Sequence, residues 1–146
     1  MVVKKNGTVD FYLRAKKGND ITETKYTSPA ILYKKGTKWF LFFEEISKED
    51  KAVTKCRFEF NQTELRIRRD GHLIMDQAYK VDREITGYFK TPYGELPTKV
   101  NTHRYRVIHS EEDNVIIGLA YDLFISEDAA GKYDLKVKFF KKEETI

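Results

Sequence analysis

The sequence predicts an all-β, single-domain protein, an antiparallel up-and-down β-barrel of eight to ten strands spanning residues 1–146. Three observations lead there. Apolar and polar residues alternate with a period of two through most of the chain, the pattern of a half-buried strand. Turn residues interrupt that alternation at short intervals, and no segment carries a 3.6-residue period. A meander of about ten strands must also hide its two edges, and closure into a barrel removes them.

The strands follow in order. Phe11, Leu13 and Ala15 alternate with Tyr12, Arg14 and Lys16, and Gly18-Asn19-Asp20 ends the run. An extended stretch from Thr22 to Lys34 closes at Lys35-Gly36, and Trp39 to Phe43 forms a dense aromatic strand. Cys56, Phe58 and Phe60 share one phase, and Asn61-Gln62 closes that strand. Leu65 and Ile67 precede Asp70-Gly71, which reads as a type I′ hairpin turn because such a turn needs positive φ at both central residues. Leu73, Met75 and Tyr79 make the next strand, and Lys80 to Arg83 the next turn. Later strands are expected near 84–91, 96–109, 114–126 and 131–140, with loops at Glu111–Asn114 and Glu127–Gly131. Pro29, Pro92 and Pro97 mark strand bends, starts or edges, since proline cannot donate to a ladder.

Composition narrows the class. The 146 residues include Phe 10, Tyr 9 and Trp 1, which excludes a disordered chain. No stretch reaches the roughly 18 apolar residues of a membrane helix. Met1 to Gly7 is polar, so no secretory leader is expected and a cytoplasmic protein is. Cys56 is the sole cysteine, which excludes a disulfide within the chain. The net charge is +4, with 13 basic and 8 acidic residues in 1–60 but 5 and 9 in 111–146. That asymmetry suits either an ordinary solvated domain or an attraction to anionic partners.

Polar residues on the inward face are the informative feature. Arg69 is in phase with Leu65 and Ile67, and Gln77 with Leu73, Met75 and Tyr79. A buried guanidinium and a buried amide need partners, because an unpaired polar group costs roughly 1–3 kcal/mol. They either close an internal network, with Arg69 at the barrel rim, or wait for a ligand with a polar or anionic end. Thr91-Pro92-Tyr93-Gly94 presents Tyr93 on a rigid turn, as a plug for the barrel end or as a ligand lid.

The same residues carry a resemblance. Arg69-x-Gly71, Met75-x-Gln77-x-Tyr79 and Tyr88-x-x-Thr91-Pro92-Tyr93-Gly94 resemble, in order and spacing, the YwiB-like family of small bacterial proteins of unknown function. The similarity extends to Trp39–Glu45 and to the strand around Lys132–Phe139. It implies a calycin-like barrel, similar to lipocalins, with room for an internal cavity. It brings no catalytic residues and no ligand, since function lives in the site and not the fold.

Familiar chemistries lack their residues. His103 and His109 are expected on one face of one strand but about 20 Å apart, too far to share a metal. A structural zinc site needs four Cys or His ligands, so neither metal nor cofactor is expected. There is no Gly-x-Ser-x-Gly elbow, and Cys56 reads as a buried, inert thiol. Glu44 and Glu45 point to opposite faces and form no dyad, although one of them could face inward and partner Arg69. The expected function is therefore non-enzymatic: binding of a small anionic or amphipathic ligand in or at the mouth of the barrel. Arg69 would hold an anionic group, Gln77 and Tyr79 would orient the ligand, and Tyr88, Thr91 and Tyr93 would supply wall and lid. The alternative is a filled barrel whose basic outer face, with Lys55, Arg57, Arg66, Arg68, Arg104 and Arg106, meets an acidic protein or nucleic acid. No membrane partner is expected, and either a monomer or a homodimer would suit the fold.

Overall fold

A computed structural model describes residues 2–110 and 112–142. Ten strands are present: β1 (Val2–Lys17), β2 (Asp20–Lys35), β3 (Lys38–Ile46), β4 (Val53–Phe60), β5 (Glu64–Gly71), β6 (Ile74–Lys80), β7 (Glu84–Thr91), β8 (Gly94–His109), β9 (Val115–Ile125) and β10 (Asp128–Lys141). Each pairs antiparallel with its sequence neighbours, and β1 also pairs with β10 to close the barrel. The closing ladder runs from Gly7 opposite Lys141 to Lys16 opposite Lys132.

Alternation sets which residues point inward. Trp39, Leu41 and Phe43 on β3 are buried, as are Cys56, Phe58 and Phe60 on β4 and Val115, Ile117 and Leu119 on β9. Burying a large apolar side chain contributes roughly 1.5–3 kcal/mol, so this layer supplies much of the folding free energy.

The two ends of the barrel differ. The β2–β3, β4–β5, β6–β7 and β8–β9 turns lie at one end, which is filled with large side chains. There Trp39 stacks on Phe60 at 5.4 Å, and His109 meets the Trp39 ring edge-on at 5.8 Å. The other end carries the remaining hairpins. Its inward residues Phe11, Leu13, Tyr26, Met75, Leu123 and Tyr133 are only partly buried. Thr24 shares the inward phase of Tyr26, Ser28 and Ala30 yet is exposed. The barrel is thus closed by its core at one end and open at the other.

Several local expectations are corrected. The β5–β6 turn is not type I′ at Asp70-Gly71. Asp70 has no positive φ, Gly71 sits at φ +151° still inside β5, and the chain reverses one residue later. Glycine is required there because β4 passes close by: a Cβ on Gly71 would lie 2.3 Å from the Val53 carbonyl oxygen. The expected loop Glu127–Gly131 shrinks to a turn at Ser126-Glu127, both at positive φ, and the extra residue is absorbed as a bulge between Ala129 and Gly131. A second bulge between Thr102 and Arg104 reverses the phase of β8 at His103. His103 therefore faces solvent against Asp122, while His109 faces the Trp39 ring, so the two do not share a face. In the Glu111–Asn114 loop, Glu111 lies outside the described residues, and Ser110 N donates to the Asn114 carbonyl at 2.9 Å.

Candidate functional site

The open end is organised by β2, β3 and β5. Leu65 and Ile67 anchor the inner face of β5, and the strand period carries Arg69 inward beside them. On β3 the same period carries Glu45 inward after Trp39, Leu41 and Phe43. The Arg69 guanidinium closes an ion pair with the Glu45 carboxylate, with both side chains about a quarter exposed, at 23% and 27%. Around the pair is a cleft of about 500 Å³ whose lining includes Thr24, Tyr26, Thr54, His72 and Leu73.

Tyr26 forms one wall. Its ring stacks on Phe11 at 4.6 Å and tilts against Phe43 at 6.4 Å. Its hydroxyl is buried against the Cys56 thiol, a weak partner, and no nitrogen or oxygen atom pairs with it among the described residues. Burial holds that phenol protonated far above its ordinary range, with the Arg69 charge opposing the shift only in part. Burial likewise pushes the Cys56 thiol up to about 11, so it is a poor nucleophile at neutral pH. Tyr79 lies deeper, its ring 4.9 Å from Tyr121, which in turn stacks on the half-buried Tyr133 at 5.3 Å. Burial raises the Tyr79 phenol as well.

Gln77 is fully engaged by the protein. Its amide nitrogen donates to the carbonyls of Ala78 at 2.8 Å and Ile85 at 3.0 Å, and its amide oxygen accepts from the Thr98 hydroxyl at 2.6 Å. The reason is local: the β6–β7 ladder ends at Asp76 opposite Tyr88, and the Gln77 side chain fills the opening beyond it. Gly87 makes room, since a Cβ there would lie 2.5 Å from the Gln77 amide oxygen.

The other expected ligand contacts lie elsewhere. Tyr88 is in the outward phase of β7, 37% exposed, close to the fork in which Arg66 donates to Asp76 at 2.8 and 2.6 Å. The Thr91 hydroxyl accepts from Tyr93 N at 3.2 Å and donates to the Gly94 carbonyl at 3.3 Å, which braces the β7–β8 turn. Tyr93 itself is wholly exposed, so it neither plugs the barrel nor covers its mouth. Of the six expected residues, the structure therefore places Arg69 at the mouth and Tyr79 behind it, Gln77 in an internal network, and Tyr88, Thr91 and Tyr93 outside the cavity. Tyr26 and Thr24 are the mouth residues that sequence reasoning missed. Their signal was the even phase of β2, hidden in a threonine-rich run. Among the described residues, no cluster of three His, Cys, Asp or Glu side chains could hold a metal ion.

Comparison with known proteins agrees with the fold. The chain superposes on the crystal structure of the ywiB protein from Bacillus subtilis with a TM-score of 0.82 and 18% sequence identity, covering 96% of this chain and 94% of that one. No curated protein matches the sequence. The family model described as Domain of unknown function (DUF1934) matches residues 11–137, nearly the whole barrel, and the chain belongs to that family.

Proposed function

We propose that this protein is a non-enzymatic binder of a small, partly polar or anionic molecule, held at the open mouth of the barrel. One observation carries the reading: an open cleft of about 500 Å³, walled by Tyr26, leads to the partly buried Arg69 guanidinium. A cleft that joins an apolar wall to one charged side chain suits a molecule with an apolar body and a polar or anionic end. The ligand's anionic or acceptor group takes the place of Glu45 on Arg69. Its apolar body lies against Tyr26, Ile46 and Leu73.

Fluorescence titration with 8-anilinonaphthalene-1-sulfonate, an anionic aromatic probe, tests this. Thr24→Trp narrows the mouth without touching the core, and Arg69→Met removes the charge. The expected result is saturable binding to the native protein, lost in Thr24→Trp and weakened about tenfold or more in Arg69→Met, the worth of a charge-assisted hydrogen bond. Equal binding by all three proteins would place the probe elsewhere and end the proposal.

A second reading has its own observation. Arg106, Gly118, Lys136, Tyr12 and Lys25 stand directly opposite one another on β8, β9, β10, β1 and β2, making one outer row of three cations and an aromatic ring without an acid. Such a row suits an acidic protein or a single-stranded nucleic acid stacking on Tyr12. A salt-dependent shift with an oligonucleotide, weakened by Lys136→Glu, would favour it over the mouth.

A further inference from the structure

The β2–β3 ladder begins only at Ala30 opposite Phe43 and ends at Lys35 opposite Lys38. The first half of β2 is nevertheless regular strand, held by β1 from Lys17 opposite Asp20 to Thr8 opposite Pro29. Among the described residues no strand pairs with Asp20–Thr27 on the side away from β1. Ser28 and Pro29 mark where the strands part, the Ser28 hydroxyl taking the Glu44 N–H in place of a backbone acceptor. The residues Asp20 to Lys25 and Thr27 are exposed, including the 48% exposed Ile21. A row of free backbone donors and acceptors of this kind is a template for another strand.

We propose that this edge pairs with the same edge of a second copy, antiparallel about a two-fold axis through Thr24. The side-chain pattern is self-complementary about that centre. On the outer face Glu23 falls opposite the partner's Lys25 and Lys25 opposite the partner's Glu23, so symmetry makes the favourable charge pair twice. Ile21 falls opposite the partner's Thr27 and loses its exposure. On the inner face Thr24 meets the partner's Thr24, and Thr22 meets the partner's Tyr26. Opposite charges and paired threonines are among the favourable cross-strand neighbours, and like charges directly opposite are unfavourable. An isologous contact closes on itself and stops at a dimer. Among the described residues neither Glu23 nor Lys25 forms an ion pair, and Lys25 lies over the Tyr12 ring at 5.3 Å.

Charge exchange tests the register. Sedimentation velocity on the full chain, from about 5 to about 200 μM to cover weak associations, should find a monomer–dimer equilibrium. Glu23→Lys and Lys25→Glu should each weaken dimerisation about tenfold or more, because each places two like-charged pairs across the axis. The double variant Glu23→Lys/Lys25→Glu should restore it. All four proteins should have the same circular dichroism, since both positions are exposed. A native chain that remains monomeric throughout would overturn the proposal. So would single variants that dimerise like the native chain, or a double variant as weak as the singles.

Discussion

Arg69 and Glu45, twenty-four positions apart in the chain, meet as an ion pair across the mouth of the barrel, one from the end of β5 and the other from the end of β3. Each is the last inward residue of a strand whose earlier inward residues are apolar and buried. The pair therefore stands where the core gives way to solvent, and it ties together two strands that do not neighbour each other in the sheet.

Arg69→Met should lower stability by about 1–3 kcal/mol, because it leaves the Glu45 carboxylate partly buried and unpaired. Arg69→Met/Glu45→Gln should recover most of that loss. Urea unfolding of the native chain, both single variants and the double variant gives the coupling directly. Strict additivity of the two single changes would mean that the pair does not hold the mouth.

Gln77 supports the sheet where β6 and β7 part. Gln77→Leu removes three hydrogen bonds and leaves the Thr98 hydroxyl and the Ile85 carbonyl without their partner. A loss of about 2–4 kcal/mol is expected in thermal or urea unfolding. Gly87→Ala should be at least as damaging as an ordinary surface change, since its Cβ would press on the Asp76 carbonyl at 2.4 Å. A Gly87→Ala variant as stable as the native chain would refute this view of the opening.

Asp76 should contribute to acid sensitivity. The fork from Arg66 holds its carboxyl below the ordinary aspartate range. A depressed carboxyl stabilises the fold above its unfolded value, and the contribution is lost as pH falls through the folded value. Arg66 is 41% exposed, so solvent screening limits the effect to about 0.5–1 kcal/mol. Asp76→Asn should lower stability at pH 7, and the difference from the native chain should shrink as acid protonates Asp76. A constant difference between the two from pH 7 to pH 3 would contradict the assignment.

Cys56 should be silent to a thiol reagent in the folded protein. Its Sγ is buried, and burial raises its pKa to about 11, so little thiolate exists at pH 8. Reaction with 5,5′-dithiobis(2-nitrobenzoate) should be slow in buffer and complete in denaturant. Rapid modification of the native chain would mean that the mouth reaches Cys56.

Much of the fold was legible because period-two alternation and turn residues are local signals. Ten strands and their order follow from them, and closure follows from the cost of free edges. The bulges at Thr102/Arg104 and Ala129/Gly131 were not legible, since an extra residue leaves composition unchanged and only reverses phase. The turn after Gly71 was misplaced because Asp-Gly favours a type I′ turn locally, whereas here glycine serves the close approach of β4. In the candidate site, the inward phase of Arg69 and Gln77 was readable from Leu65, Ile67 and Met75. That Gln77 spends its amide on backbone carbonyls was not, because the gap between β6 and β7 is a property of the barrel rather than of either strand. Tyr88 and Tyr93 drew notice through their motif, yet the motif serves the turn.

The most direct test of the central claim is native mass spectrometry of gently purified protein beside its denatured mass. A small-molecule adduct that leaves on denaturation, and that is absent from Thr24→Trp, is the result the open mouth predicts. An adduct-free native protein that also fails to take up 8-anilinonaphthalene-1-sulfonate would contradict it. The cleft around Arg69 and Tyr26 would then be only the unfilled end of a structural barrel.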